Sequence, residues 1–269
     1  MQYAISVLPV VPLRAGPSDK EEMISQVLFG ELVIIHEQQN KWSFVEIVDD
    51  GYKGWLFSTM LTNITEELAN EVSGLPAKIS GNLFMPVINT QGNHSQFIPA
   101  GSKIYSYKPA SNSFKVGDLN FNCKQEPLFY SPENAREEIS SAALAFINIP
   151  YLWGGKNPFG IDCSGLTQTL LKLFGIQIPR DSRQQVAEGS AVNFISEARP
   201  GDLAFFDNEE GEIIHTGIIV NNQKIIHASG HVRIDSIDHQ GIYNREQKQY
   251  SHRLRVIKNV VDNRVGQNT

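Results

Sequence analysis

The sequence predicts an α+β protein, with two small β modules ahead of a domain in which helices are followed by an antiparallel run of strands. Three observations carry this. Short strand-like runs broken by turn residues fill the chain to about residue 128, helical apolar spacing first appears after Ser131, and five further strand-like runs follow a second helix.

Taken in order, YAISVLPVVPLR, VLFGELVIIHE, WSFVEIVDD and GWLFSTML alternate in the manner of a small β-barrel over residues 1–65. Asn63–Ser73 reads as a short helix or a linker. ISGNLFMPVIN, KIYSYK and LNFNCK then form a second β-rich block, so that 66–128 is a second module with its linker; one larger β domain is the alternative. The third domain, 129–269, starts at Ser131–Pro132, a helix-start signal, after which Ile139, Ala142, Ala143, Phe146 and Ile147 share one helical face. A second helix begins at Cys163: Asp162 is its expected N-cap, Leu166, Leu170 and Leu173 recur at helical spacing, and Gly175 is the stop signal. DLAFFD, HTGIIV, KIIHAS, HVRIDSI and RLRVIKNV are the strands, and the polar tail after Val261 is expected to be loose.

Composition bounds the chemistry. At 269 residues and 41% apolar, there is material for one large core or two to three small ones. A formal charge of −6, with Lys and Arg scattered, gives no footprint for nucleic acid or an anionic membrane. No stretch has the length of a membrane span, and MQYAISVLPVVPLRAG reads as a first strand, not a leader; if Met1 is the natural start a cytoplasmic location is expected, and a periplasmic or exported one if a leader has been removed. Two cysteines exclude a rich disulfide framework, and Cys123 in LNFNCKQEP reads as a packed strand residue.

Cys163, His215 and His227 are the candidate catalytic group. A thiol in a first helical turn faces unpaired N–H groups and the positive end of the helix dipole, so a lowered thiol pKa is expected. His215 and His227 flank a tight turn at NNQ. A hairpin centred at Asn221 sets them directly opposite, and one centred at Asn222 makes them diagonal neighbours on one face. Either register lets one imidazole act as base while the other orients it, and Gly217 leaves room beside them. Structural zinc is not expected, because the three residues lack closely paired ligand spacing.

With those residues placed, YLWGGKNPFGIDCSGL, PRDSRQQ, RPGDLAFF, HTGIIV and IIHAS, in that order over about 130–258, resemble the NlpC/P60 family of papain-like cysteine peptidases. The two preceding modules look like bacterial SH3 domains, YKGWLFSTML closing the first. The three-part arrangement is similar to γ-D-glutamyl-L-diamino acid peptidases acting on murein peptides with a free N-terminal L-alanine. The resemblance implies Cys163 as nucleophile, His215 as base, His227 as orienting residue and Tyr151 as an oxyanion donor. It implies substrate-binding roles for Asp162, Ser164, Trp153 and Ser182, with Asp162 pairing the free amine. It gives Tyr52 of the first module a place at that amine, with Glu22 beside it, although alignment on LFGE puts Ile24 there instead. Arg180 and Gln184 are read as fold or rim residues. No cofactor or metal is implied, and the implied partner is a murein-derived peptide. Two other readings stay open: a cell-wall peptide-binding protein, and another Cys–His acyl hydrolase or transferase.

Overall fold

The computed structural model describes residues 1–221 and 223–262. It divides into two compact units, one of Met1–Phe129 with Trp153–Pro158 and one of Tyr130–Leu152 with the chain from Phe159 onward.

The first unit holds two antiparallel sheets. One orders its strands Met23–Leu28, Val10–Arg14, Lys53–Phe57, Trp42–Ile47, Leu32–Gln39, Gln2–Ile5 and Thr62–Ile64. Period-two alternation sends Val11 and Leu13, Val33 and Ile35, and Val45 and Ile47 into one core with Ala4, Val27 and Leu56. The second sheet runs His94–Pro99, Phe84–Asn89, Leu119–Cys123, Ser113–Val116, Lys103–Lys108 and Ala77–Ile79. Its core gathers Met85, Val87, Ile98, Ile104, Phe114 and Phe121, with Cys123 buried at the end of its strand. The stretch expected to be helix or linker is the helix Glu66–Gly74, capped by the Thr65 hydroxyl, which accepts from the Leu68 N–H at 3.2 Å.

Trp153–Pro158 is packed into this unit. Gln26 Oε1 accepts from the Lys156 N–H (2.7 Å) and from Asn157 Nδ2 (2.9 Å). Gly154 lies so close to the Met23 backbone that an added Cβ would sit 2.3 Å from the Met23 carbonyl oxygen.

In the second unit, the expected helix after Ser131 opens as a 3₁₀ turn over Pro132–Asn134 and becomes α-helical only over Ala135–Leu144. It stops short of Phe146 and Ile147, whose N–H groups bond three residues back as the last turn tightens before Asn148 takes a left-handed φ of 67°. Phe146 is still buried with Ile139, Ala142 and Ala143. The helix Cys163–Leu173 starts where the sequence places it, with the Asp162 carboxylate accepting from the Gly165 N–H at 2.6 Å.

All the sheet's pairings in this unit are antiparallel, in the order Ser190–Val192, Gln249–Asn259, Leu203–Asp207, Ile213–Asn221, Lys224–Ser229, His231–Ile237, Gly241–Asn244. Gln249–Asn259 also pairs with Gly241–Asn244, so six of the strands form a ring. Its lining includes Ala204, Phe206, Ile219, Ile225, Ile237, Ile242 and Ile257. The α+β class is therefore as expected, with two short strands, Ser190–Val192 and Gly241–Asn244, added to the five anticipated. Val261 is buried, and Asp262, at the head of the tail expected to be loose, is held by Arg136 Nε at 3.0 Å and by Arg199. The rest of that tail, and Asn222 of the predicted turn, lie outside the described residues.

Candidate active site

Register places the histidines. Ile218 pairs with Ile226 and Ile219 with Ile225, a hairpin centred at position 222, which puts Gly217 opposite His227 and makes His215 its diagonal neighbour. Gly217 leaves space at that crossing: an added Cβ would lie 2.7 Å from the Ile226 carbonyl oxygen and 2.9 Å from the His227 Cβ. Side chains two residues apart along a strand share a face, so His215 and His227 join Ile219 and Ile225 on the face that lines the ring. His215 Nε2 and His227 Nδ1 are 2.9 Å apart, and both residues are buried.

Cys163 comes to the neighbouring stretch of the same strand. Its sulfur meets the backbone N–H groups of Thr216, next to His215, and of Ser164, both of which favour the thiolate. Burial opposes them more strongly, the Asp162 carboxylate adds to burial, and the thiol is pushed up to about 11. This corrects the expectation of a lowered value, because the helix end acts on a sulfur enclosed beside an acid. His215 is held well below the ordinary histidine value, by burial first and then by the neighbouring His252 and His227. At neutral pH Cys163 is thus a thiol and His215 a neutral imidazole.

The hydrogen bonds fix how that imidazole is protonated. His227 Nε2 lies 3.0 Å from Asp235 Oδ2, and an ionised carboxylate only accepts, so Nε2 carries the proton. His227 Nδ1 is then a lone pair that accepts from His215 Nε2–H, which leaves His215 Nδ1 unprotonated and able to take a proton. Burial pushes the Asp235 carboxyl up, but hydrogen bonds from His227 and Arg233 hold it below its ordinary value.

A third imidazole, His252, stacks on His215 with ring centroids 4.1 Å apart and planes 23° apart. The ligating nitrogens of the three histidines lie within 4.8 Å of one another. Lone pairs lie in the ring planes, so two nearly parallel stacked rings do not converge on a common ion.

Tyr151 is half-buried, its N–H donating to the Gly230 carbonyl at 3.0 Å. Burial first, then the charges of Cys163 and Asp162, raise its phenol, so it stays an O–H donor throughout the neutral range. Asp162 and Ser164 are linked by Arg180, which sequence reasoning placed in the fold or rim. Arg180 is 1% exposed and donates to Asp162 Oδ1 (3.1 Å), Asp162 Oδ2 (2.7 Å) and Ser164 Oγ (2.8 Å). The Asp162 carboxylate thus serves the helix cap and a buried guanidinium together. Ser182 opens the short helix Ser182–Gln185, whose Gln185 Nε2 donates to the Ser164 carbonyl at 3.1 Å.

The remaining substrate-binding candidates belong to the first unit. The exposed Trp153 indole N–H donates to Glu22, so the structure brings together two residues far apart in sequence. Tyr52 packs partly buried against the first core, its N–H donating to Asp50 Oδ1 at 3.0 Å. Two residues of the site are absent from the sequence reading, Asp235 and His252, and Arg180, read there as fold or rim, is buried against Asp162. For Asp235 a signal exists: in HVRIDSI, facing KIIHAS, it is the acid at the diagonal position to His227.

Residues 148–251 match the NlpC/P60 family, and residues 13–61 match the bacterial dipeptidyl-peptidase Sh3 domain. The chain is 28% identical over 232 residues to a γ-D-glutamyl-L-lysine dipeptidyl-peptidase of Bacillus cereus, covering 78% of this chain and 68% of that one. It is 29% identical to dipeptidyl-peptidase 6 of Lysinibacillus sphaericus over 263 residues, covering 88% and 92%. Among solved structures, an NlpC/P60 family protein from Bacillus cereus superposes with a TM-score of 0.81 at 19% identity, covering 96% of this chain and 99% of that one.

Proposed function

The chain carries an NlpC/P60 domain behind a bacterial SH3 domain, and on that premise we propose that it is a cysteine peptidase that hydrolyses the γ-D-glutamyl–diamino acid bond of short murein peptides bearing a free N-terminal L-alanine. The observation that carries the chemistry is the histidine pair, 2.9 Å apart, on the strand whose Thr216 N–H meets the Cys163 sulfur. The substrate rests on the names of the relatives, dipeptidyl-peptidases that include γ-D-glutamyl-L-lysine enzymes. Our functional division is SH3-like modules over 1–65 and 66–128, and a catalytic domain over 129–269.

In the proposed reaction the Cys163 sulfur attacks the side-chain amide carbonyl of D-glutamate while its proton passes to His215 Nδ1. The oxyanion is met by the Tyr151 O–H and a backbone N–H at the helix start. His215 then protonates the leaving amine, the C–N bond breaks, and a thioester remains. Water, deprotonated by His215, attacks the thioester and releases the dipeptide acid and the free thiol. We assign binding of the short peptide to Asp162, Ser164, Trp153 and Ser182, with Asp162 pairing the free amine, and give Tyr52 and Glu22 of the first module a part in recognising that amine. A polar site left unmatched by a blocked amine discriminates strongly, by about 10⁴-fold in favourable cases.

Mass spectrometry of L-Ala-γ-D-Glu-meso-diaminopimelate after incubation with the protein tests this. Release of L-Ala-D-Glu, lost in Cys163→Ala and absent with an N-acetylated peptide, is expected. Cleavage of both peptides would overturn the selectivity, and cleavage of neither would overturn the peptidase.

A further inference from the structure

We infer that Asp235 is a positioning residue of this site, the fourth member of a relay that runs Asp235, His227, His215, Cys163. The inference rests on the reading of Cys163 and His215 as nucleophile and base and extends it by one residue that the sequence motifs do not contain.

The relay is a product of register. Asp235 pairs across from Ile225, and Arg233 from His227, so Asp235 is the diagonal neighbour of His227 on the ring-lining face. His215 is the diagonal neighbour of His227 on the other side. The three side chains therefore step across three adjacent strands, with contacts of 3.0 Å and 2.9 Å. Asp235 is 6% exposed, and its carboxylate is held by Arg233, whose Nη2 donates to Oδ1 at 3.1 Å and whose Nε lies 2.8 Å from Oδ2. The charged or titratable groups around it are His227 on the adjacent strand, Arg233 on its own, Glu246 behind Arg233, and His252 from the long strand.

Its work is to choose a tautomer. His227 alone could carry its proton on either nitrogen. With Nδ1–H it would donate to His215 Nε2, leaving His215 with its proton on Nδ1, where it cannot accept one from the thiol. The Asp235 carboxylate accepts only, places the His227 proton on Nε2, and so keeps His215 Nδ1 free. When His215 takes the proton, its positive charge is offset through His227 by the same carboxylate.

Asp235→Asn is nearly isosteric, yet its amide can turn an N–H toward His227 and stabilise the wrong tautomer. We expect kcat on the free-amine peptide to fall by about 10²-fold or more, with KM within about threefold. Asp235→Glu should recover part of the loss. Long-range ¹H–¹⁵N spectra of the full chain with labelled histidines read the tautomers directly and need no substrate. Wild type should show His227 and His215 both protonated at Nε2, and Asp235→Asn should shift His227 toward Nδ1–H. A wild-type His227 protonated at Nδ1, or an Asp235→Asn variant with unchanged tautomers and kcat within about twofold of wild type, would overturn the role. If wild type cleaves no γ-glutamyl peptide while the tautomers change as stated, the relay stands and the substrate assignment fails, so the two are separable. Should Asp235→Asn not fold, the wild-type spectrum alone still decides.

Discussion

A thiol at the head of a helix gains from nearby N–H groups, yet Cys163 is also enclosed beside the Asp162 carboxylate, and enclosure wins. This sets a chemical signature. A preformed thiolate–imidazolium pair alkylates at a rate that stays on a plateau into the acid range. Cys163, with its thiol near 11, should instead react with iodoacetamide at a rate that climbs through pH 7 to 10 without levelling. Cys123 is pushed up to about 11 by burial as well, so the measurement belongs in a Cys123→Ala background. A rate that is flat from pH 5 to 8 would mean that the proton has already moved to His215 at rest.

At the scale of elements, the cysteine helix is tied to the loop before Ser182 through Arg180. Removing one partner of a buried ion pair leaves the other charge enclosed without a counter-charge, which costs about 3 to 5 kcal/mol in other proteins. Arg180→Met should lower stability by about 3 kcal/mol in urea unfolding, and adding Asp162→Asn should restore part of it. A loss under about 1 kcal/mol would mean that the pair is dispensable to the fold. This pair also marks where sequence reading ends. The cysteine helix, its Asp162 cap and the histidine hairpin are local, written in spacings of two and of three to four, and were legible. Arg180 lies eighteen residues from Asp162 with the cysteine helix and a loop between, so no periodicity joins them. Asp235 was half-legible: its strand was recognised, but the register that sets it beside His227 depends on pairing. The short strand Gly241–Asn244 is not legible in the sequence, because it is four residues long and its partner, the long strand Gln249–Asn259, turns to pair along three neighbours.

For the molecule as a whole, buried groups that are neutral in the folded state set its pH range. His215 and His252 sit below the ordinary histidine value in the fold, His252 at about 4, and both recover a value near 6.5 on unfolding. Between those values the unfolded chain binds more protons, so stability falls as pH drops below about 6.5. Asp235, held below its ordinary value, gives stability that is lost at still lower pH as it protonates. Cys163 acts in the opposite direction. Its folded value near 11 exceeds the unfolded value of about 8.5, so stability declines as pH rises through that interval. Thermal unfolding should therefore show its highest midpoints between about pH 6.5 and about 8.5. A midpoint still rising below pH 6 would show that these histidines are charged in the fold.

The ring of six strands in the second unit bears on how any partner is met. Each strand of that ring has a neighbour on both sides, and among the described residues the added flank is the three-residue strand Ser190–Val192. A long polypeptide often docks by extending an open sheet, with main-chain bonds that read no side chains. This ring leaves little room for that mode. On the proposed reading, discrimination then falls to end groups and to the few polar atoms around Cys163, which suits a ligand a few residues long far better than a loop of folded protein.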